Sequence, residues 1–185
     1  FAHVPARRKF LKTEATEQGA CLDVITRLAL AHPEIRFKVE ANGKEIFAAP
    51  EVHDTAKRIA MVMGGEFSAH CMAVDAQQDA MTLKGFISRP EYSKSNSKSI
   101  YLFVNKRFIR DTSLTHAVLS AYRQIIESRR YPAATLFLEV PPEDVDVNVH
   151  PAKMEVRFKN AHGVYELVSK TIAHHLSRAE TSRGH

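Results

Sequence analysis

The chain has 185 residues, 44% hydrophobic and 25% charged, with 26 Lys and Arg against 21 Asp and Glu for a formal charge of +5. This length and apolar content suit one ordinary domain, or one with a short attachment, and exclude the disordered and collagen-like classes. The longest uncharged apolar stretches, Leu28 to Ala31 and Ala60 to Met63, fall far short of the roughly 20 residues of a membrane helix, so no membrane partner is expected. The opening Phe1-Ala2-His3-Val4-Pro5-Ala6-Arg7-Arg8-Lys9 lacks an initiator Met and reverses the charge order of a secretory signal, as in a chain entered partway. Cys21 and Cys71 have no CxxC spacing and read as buried reduced thiols, which fits the cytosol. A pI near 9.3 permits attraction to polyanions, although the basic residues are spread along the chain.

From Thr16 to His32, Leu22, Ile25 and Ala29 recur at helical spacing until Pro33 stops the run. Phe37, Val39 and Ala41 then alternate with charged residues up to Asn42-Gly43, the dipeptide of a type I′ hairpin turn, and Ile46-Phe47 continue beyond it. Val52, Ala56, Ile59 and Met63 mark one face of a second helix that Gly64-Gly65 can end through a left-handed C-cap. Two strands are predicted over 68–75 and 80–87, joined at Gln77-Gln78-Asp79. The serine- and lysine-rich stretch 89–99 reads as a mobile surface loop. Ile100 to Val104 is apolar throughout, as in a strand covered on both faces, and Asn105-Lys106 turn the chain back into Arg107 to Arg110. Asp111 to Ser113 offer N-caps to a helix whose stripe is Leu114, Val118, Ala121 and Ile125 and which stops near Tyr131-Pro132. Three alternating runs follow, centred on Leu136 to Val140, Val145 to Val149 and Met154 to Phe158. A last helix carries Val164, Leu167, Val168, Ile172 and Leu176, and Arg178 to His185 have no pattern and are expected to fray. The sum is an α+β fold with helices packed on a mixed sheet.

Most enzyme signatures are missing: there is no GxxxxGK[ST], no HExxH, no GxSxG, and only seven glycines, so no glycine-rich segment wraps a nucleotide. One constellation remains, Asp144-Val145-Asp146-Val147-Asn148-Val149-His150-Pro151-Ala152-Lys153-Met154-Glu155-Val156-Arg157-Phe158. Alternation puts Asp144, Asp146, Asn148 and His150 on one face of a strand. Such groups can bind a divalent ion, but spaced about 7 Å apart along one extended strand they do not converge on it, and no metal site is assigned. A metal-dependent hydrolase using Asp144, Asp146 and His150 and an RNA-binding module are the competing readings. Pro151 breaks the strand and leaves Lys153 at a turn between two strands, a positioned point charge suited to a terminal phosphate.

The run Asp146 to Lys153 with Glu155 to Phe158, together with Pro5-Ala6-Arg7-Arg8-Lys9-Phe10-Leu11 and Phe103-Val104-Asn105-Lys106-Arg107-Phe108-Ile109-Arg110-Asp111, resembles the signature of the MutL family of DNA mismatch repair proteins. The resemblance implies the second, ribosomal-protein-like transducer domain of a gyrase-type ATPase region, with a left-handed β-α-β crossover. It implies that Lys153 reaches across the domain boundary to the γ-phosphate of ATP held by an upstream ATPase domain, supported by Asn148, His150 and Pro151. ATP and Mg²⁺ then belong to the parent protein, and this segment alone binds no cofactor and is not an enzyme. It further implies DNA contact by Arg107, with Lys106, Arg110 and Lys159 as neighbours. The DNA is double- or single-stranded, the dimer partner is a second copy or a paralogue, and MutS is a further partner. Arg7 and Arg8 are assigned to the junction with the ATPase domain, where Ala2-His3 depart from the aromatic and Asn of the family pattern. The expected limits are a junction over 1–12, the transducer domain over 13–178 and a frayed tail over 179–185. Localisation is expected to be cytoplasmic and nucleoid-associated in a bacterium, or nuclear in a eukaryote.

Overall fold

The computed structural model describes residues 3–147 and 154–183, with side chains over 15–147 and 154–179. The chain packs as two compact units, Phe1–Val62 and Met63–His185.

Unit 1 opens with α1 (His3–Ala31), which starts well before the periodic run from Thr16. Pro5 does not prevent this, because N–H groups in a first helical turn have no intrahelical acceptor and a proline there forfeits no bond. The helix stops ahead of Pro33 and leads into the hairpin of β1 (Phe37–Ala41) and β2 (Lys44–Ala49), paired antiparallel from Phe37↔Ala49 to Ala41↔Lys44. Asn42 at φ 54° and Gly43 at φ 77° supply the two left-handed residues that a type I′ turn requires. Then α2 (Thr55–Met63) buries Arg58 as completely as any apolar residue nearby. The Arg58 guanidinium donates to the carbonyls of Ala29 (2.9 Å), His32 (3.1 Å), Pro33 (2.9 Å), Ile35 (2.6 Å) and Pro50 (2.6 Å). Burial lowers its pKa, an effect that the Glu34 carboxylate opposes.

In unit 2, Gly64 has φ 96° and ψ 164°, which is not the left-handed helical pair of a C-cap. It turns the chain into α3 (Gly65–Ala69), a helix absent from the sequence reading, and this displaces the following strand to β3 (Cys71–Gln78). The reversal into β4 (Met81–Ser88) is correspondingly later, at Asp79-Ala80, with Asp79 at φ 54°. The sheet is completed by β5 (Ile100–Val104), β6 (Arg107–Ile109) and β7 (Ala134–Glu139), in the order β3-β4-β7-β5-β6. β5 and β7 are parallel and all other pairs antiparallel, so the sheet is mixed. The connection from β5 to β7 passes through β6 and α4 (Thr112–Tyr122). This helix ends well before Tyr131, where the buried Tyr122 hydroxyl donates to the Ser88 carbonyl and the chain continues in turns. A single 3-10 turn (Pro142–Asp144) then leads to the short pair β8 (Val145–Val147) and β9 (Val156–Phe158). The final helix α5 (Ala161–Arg183) continues past Arg178 through residues without apolar periodicity.

The core follows the predicted stripes. Leu114 and Val118 of α4 and Val164, Leu167, Val168, Ile172 and Leu176 of α5 are buried against Val74, Leu83, Leu102, Val104 and Leu136 of the sheet. On the other face Phe103 stacks on Phe137 at 5.0 Å and meets Phe108 edge-on at 5.8 Å, so β5 is covered on both sides. The stretch 89–99 is held rather than loose: Lys94 N–H donates to the Tyr131 carbonyl (2.7 Å) and Tyr131 N–H to that of Lys94 (2.9 Å).

β4 and β7 approach each other at Gly85, where φ is +150° and an added Cβ would strike the backbone carbonyl oxygen and carbon of Thr135. Backbone cannot swing aside as a side chain can. Gly85→Ala is therefore expected to cost at least about 2 kcal/mol, read as a lower urea midpoint; an unchanged midpoint would mean that the two strands separate freely.

Candidate functional site

Lys153, expected to contact phosphate, and Asn148, His150 and Pro151, expected to support its loop, lie outside the described residues. Their supports lie within them. β8 and β9, which flank the motif in sequence, pair antiparallel from Val145↔Phe158 to Val147↔Val156. Each limb has a backbone anchor: Lys159 N–H donates to the Asp144 carbonyl at 2.8 Å, and Arg110 N–H donates to the Met154 carbonyl at 2.8 Å. The second bond ties the residue after Lys153 to the end of β6. Asp144 is half-buried, Asp146 is exposed, and no group of three His, Cys, Asp or Glu side chains among the described residues comes together as a metal site.

Of the cations expected at a nucleic acid, Lys106 and Arg107 stand at the start of β6, Arg110 just past its end and Lys159 just past β9. Lys106, Arg107, Arg110 and Lys159 are all exposed. The turn carrying the first two has both central residues left-handed, Asn105 at φ 49° and Lys106 at φ 69°. Asn adopts this conformation readily, whereas Lys pays about 1 kcal/mol. The Asn105 side-chain amide donates to the Val140 carbonyl (3.0 Å) and its oxygen accepts from Val140 N–H (2.9 Å). Asn105 N–H donates to Leu138 (2.9 Å) as well. The basic turn and the segment entering β8 are thus clipped together through one residue. Sequence reasoning took Asn105 only as a turn former; the signal it passed over is that an Asn there has a donor and an acceptor free for a neighbouring strand end.

Arg7 and Arg8 fall in the first turns of α1, in a helix continuous with the rest of unit 1, and their side chains are not described. The cysteine expectation needs correction. Both thiols are free, but Cys21 is exposed on α1 and Cys71 only half-buried at the start of β3. For Cys21 the signal was present and unused, since it sits one position off the stripe formed by Leu22, Ile25 and Ala29.

The sequence profile described as "DNA mismatch repair protein, C-terminal domain" matches residues 59–177. The chain belongs to the MutL family of DNA mismatch repair proteins. DNA mismatch repair protein MutL of Syntrophus aciditrophicus is 47% identical over 173 residues, which are 94% of this chain and 28% of that protein. MutL of Neisseria meningitidis is 44% identical over 172 residues, covering 93% of this chain and 26% of its own length. The chain therefore spans less than a third of these MutL relatives. Among solved structures, the N-terminal domain of a DNA repair protein superposes with a TM-score of 0.78 at 24% identity over 98% of this chain and 60% of that one, a likeness of fold. The Aquifex aeolicus MutL ATPase domain complexed with ADP gives a TM-score of 0.54 at 27% identity, covering 91% of this chain and 54% of that one.

Asp111 joins β6 to α4 beside the anchored limb of this MutL loop. Its carboxylate caps α4 by accepting from Ser113 N–H at 3.2 Å. Burial raises its pKa, the Ser113 bond lowers it and the Glu155 carboxylate raises it further, with a net upward shift. A carboxyl whose folded pKa is raised adds stability below its ordinary pKa and loses it as pH rises through the folded value. Asp111→Asn keeps the cap without the charge. It should raise the thermal midpoint at pH 7 and match the unsubstituted protein near pH 3, whereas Asp111→Ala should cost about 1 kcal/mol through the lost cap. A midpoint difference between Asp111→Asn and the parent that does not change with pH would refute the electrostatic account.

Proposed function

We propose that this chain is the transducer segment of a MutL ATPase, in which Lys153 contacts the γ-phosphate of ATP bound by an upstream domain and so couples nucleotide state to dimer closure on DNA. The observation that carries the reading is the anchoring of the described residues on either side of Lys153: the β8–β9 pairing and the Arg110–Met154 bond. A lysine on a segment anchored on either side would meet a developing charge with less reorganisation than one on a free surface loop. No general acid or base is needed from this segment, and ATP with Mg²⁺ is supplied elsewhere in the protein. Arg107, with Lys106, Arg110 and Lys159 beside it, is assigned to the phosphates of double- or single-stranded DNA, Asn148, His150 and Pro151 to loop support, and Arg7 and Arg8 to the interdomain junction. The expected partners are a second copy or paralogue and MutS. The ADP-bound Aquifex aeolicus relative supports the nucleotide assignment by likeness.

In a full-length MutL carrying this chain, Lys153→Ala should lower turnover at saturating ATP on the order of 100-fold while the circular dichroism spectrum is unchanged. Unaltered turnover would remove the phosphate contact. Arg107→Glu should weaken duplex binding and make the dependence of log K on log salt shallower by about one phosphate contact. An identical salt titration would take Arg107 off the DNA surface.

A further inference from the structure

The five-stranded sheet has a second basic end. Ile87, Ala134 and Ile100 lie side by side where β4 finishes and β7 and β5 begin, whereas Val104, Leu138 and Arg107 mark the opposite end. Four residue steps along β5 separate the two ends by about 13 Å. At the Ile100 end the connections 89–99 and 123–133 pack on each other through the Lys94–Tyr131 bridge and through Arg130, which donates to the Ser93 hydroxyl (2.9 Å) and carbonyl (2.6 Å). In sequence these two connections carry Arg89, Lys94, Lys98, Arg123, Arg129 and Arg130 against Glu91 and Glu127.

Two further observations set this surface apart from an ordinary solvated one. Arg129 has φ 66°, a left-handed conformation that costs a long L side chain about 1 kcal/mol and that Gly or Asn would adopt more cheaply. The strain falls on an exposed arginine in a loop, where no packing demands that residue type. Secondly, the surface is held in shape before any ligand arrives: besides the bridge, Lys98 N–H donates to the Asn96 side chain at 3.0 Å, and the Lys94 ammonium sits over the Tyr92 ring at 5.4 Å.

We propose that this surface, centred on Lys98 and Arg129, binds the phosphodiester backbone of nucleic acid as a site separate from the Lys106-Arg107 turn. The Tyr92 ring is engaged by Phe67 and His70, each at 6.1 Å, as well as by Lys94. It is not a free platform for a base, so contact is to phosphates and independent of sequence. Basic surfaces at both ends of one sheet fit a long, regularly charged polymer, which can engage both, better than a short acidic peptide, which fills one.

The test is fluorescence anisotropy of labelled duplex and single-stranded oligonucleotides with the 185-residue chain across a salt series. Lys98→Ala with Arg129→Gly should weaken binding about 10-fold at low salt and lower the salt slope by about two contacts. The same loss should recur in an Arg107→Ala background. Glycine at position 129 relieves the left-handed strain, so the thermal midpoint should hold or rise, and weaker binding cannot be laid to unfolding. An unchanged affinity and slope would overturn the second site and leave the Arg107 assignment standing. Displacement of the oligonucleotide by polyglutamate as effective as by unlabelled DNA at equal charge would overturn it in favour of an acidic protein partner.

Discussion

The clip between Asn105 and Val140 is the contact on which the functional end of the molecule depends. Few side chains could make it. The position requires a left-handed φ, which favours Gly, Asn or Asp, and it requires one donor and one acceptor on a short arm, which only Asn among these supplies. Beyond Val140 the chain leaves the sheet at Pro141 and Pro142, where no ladder bond can form from the proline nitrogens, so the Asn105 amide closes the sheet at the point where it would otherwise splay. The basic turn of β5 and β6 and the segment leading to the loop of Lys153 therefore hang from the same residue.

Unit 1 is organised around a charge instead of an apolar centre. Burying a guanidinium is unfavourable unless its donors find partners; the two terminal nitrogens of Arg58 reach five carbonyls, while its buried Nε has no hydrogen-bond partner among the described residues. Two of them, on Ala29 and His32, belong to the end of α1, where unsatisfied carbonyls and the helix dipole both favour a cation. The others lie on the Pro33 to Ile35 turn and on Pro50. A single planar fork thus fixes the helix end, the turn after it and the exit of the hairpin, a geometry that the single ammonium of a lysine does not reproduce. Few large apolar side chains of unit 1 are fully buried, chiefly Leu30 and Ile59, so this polar hub supplies much of its definition.

Periodicity read the long elements well because burial there is one-sided. The stripes of α4 and α5, the hairpin at Asn42-Gly43 and the two-faced burial of β5 all follow from which residues alternate or recur. It failed where tertiary contacts override local pattern. Arg58 reads as a solvent-facing charge in any helical projection, and only the folded neighbourhood shows five carbonyls converging on it. Gly64-Gly65 reads as a helix stop, yet Gly64 takes an extended ψ and a new helix follows. The stripe through Ile125 carries the predicted helix towards Tyr131, whereas α4 ends at Tyr122 and the chain goes on in turns. At the candidate site the bonds that bring segments together, Asn105 to Val140 and Arg110 to Met154, join residues far apart in sequence and leave no periodic trace.

The elements bordering the Lys153 loop are also the ones least bound to the remainder of the sheet. β6, β8 and β9 are three-residue strands, and β8 and β9 form a sheet of their own. β7, by contrast, is paired on both sides along its length. Local opening is least costly where backbone pairs are few and lie at an edge. A force on the loop is therefore met by the β8–β9 pair before the central strands yield. It passes to the end of β6 through the bond between Arg110 and Met154, and to the 3-10 turn through that between Lys159 and Asp144. Both routes end within a few residues of the basic turn, one at β6 and the other at the Val140 clip.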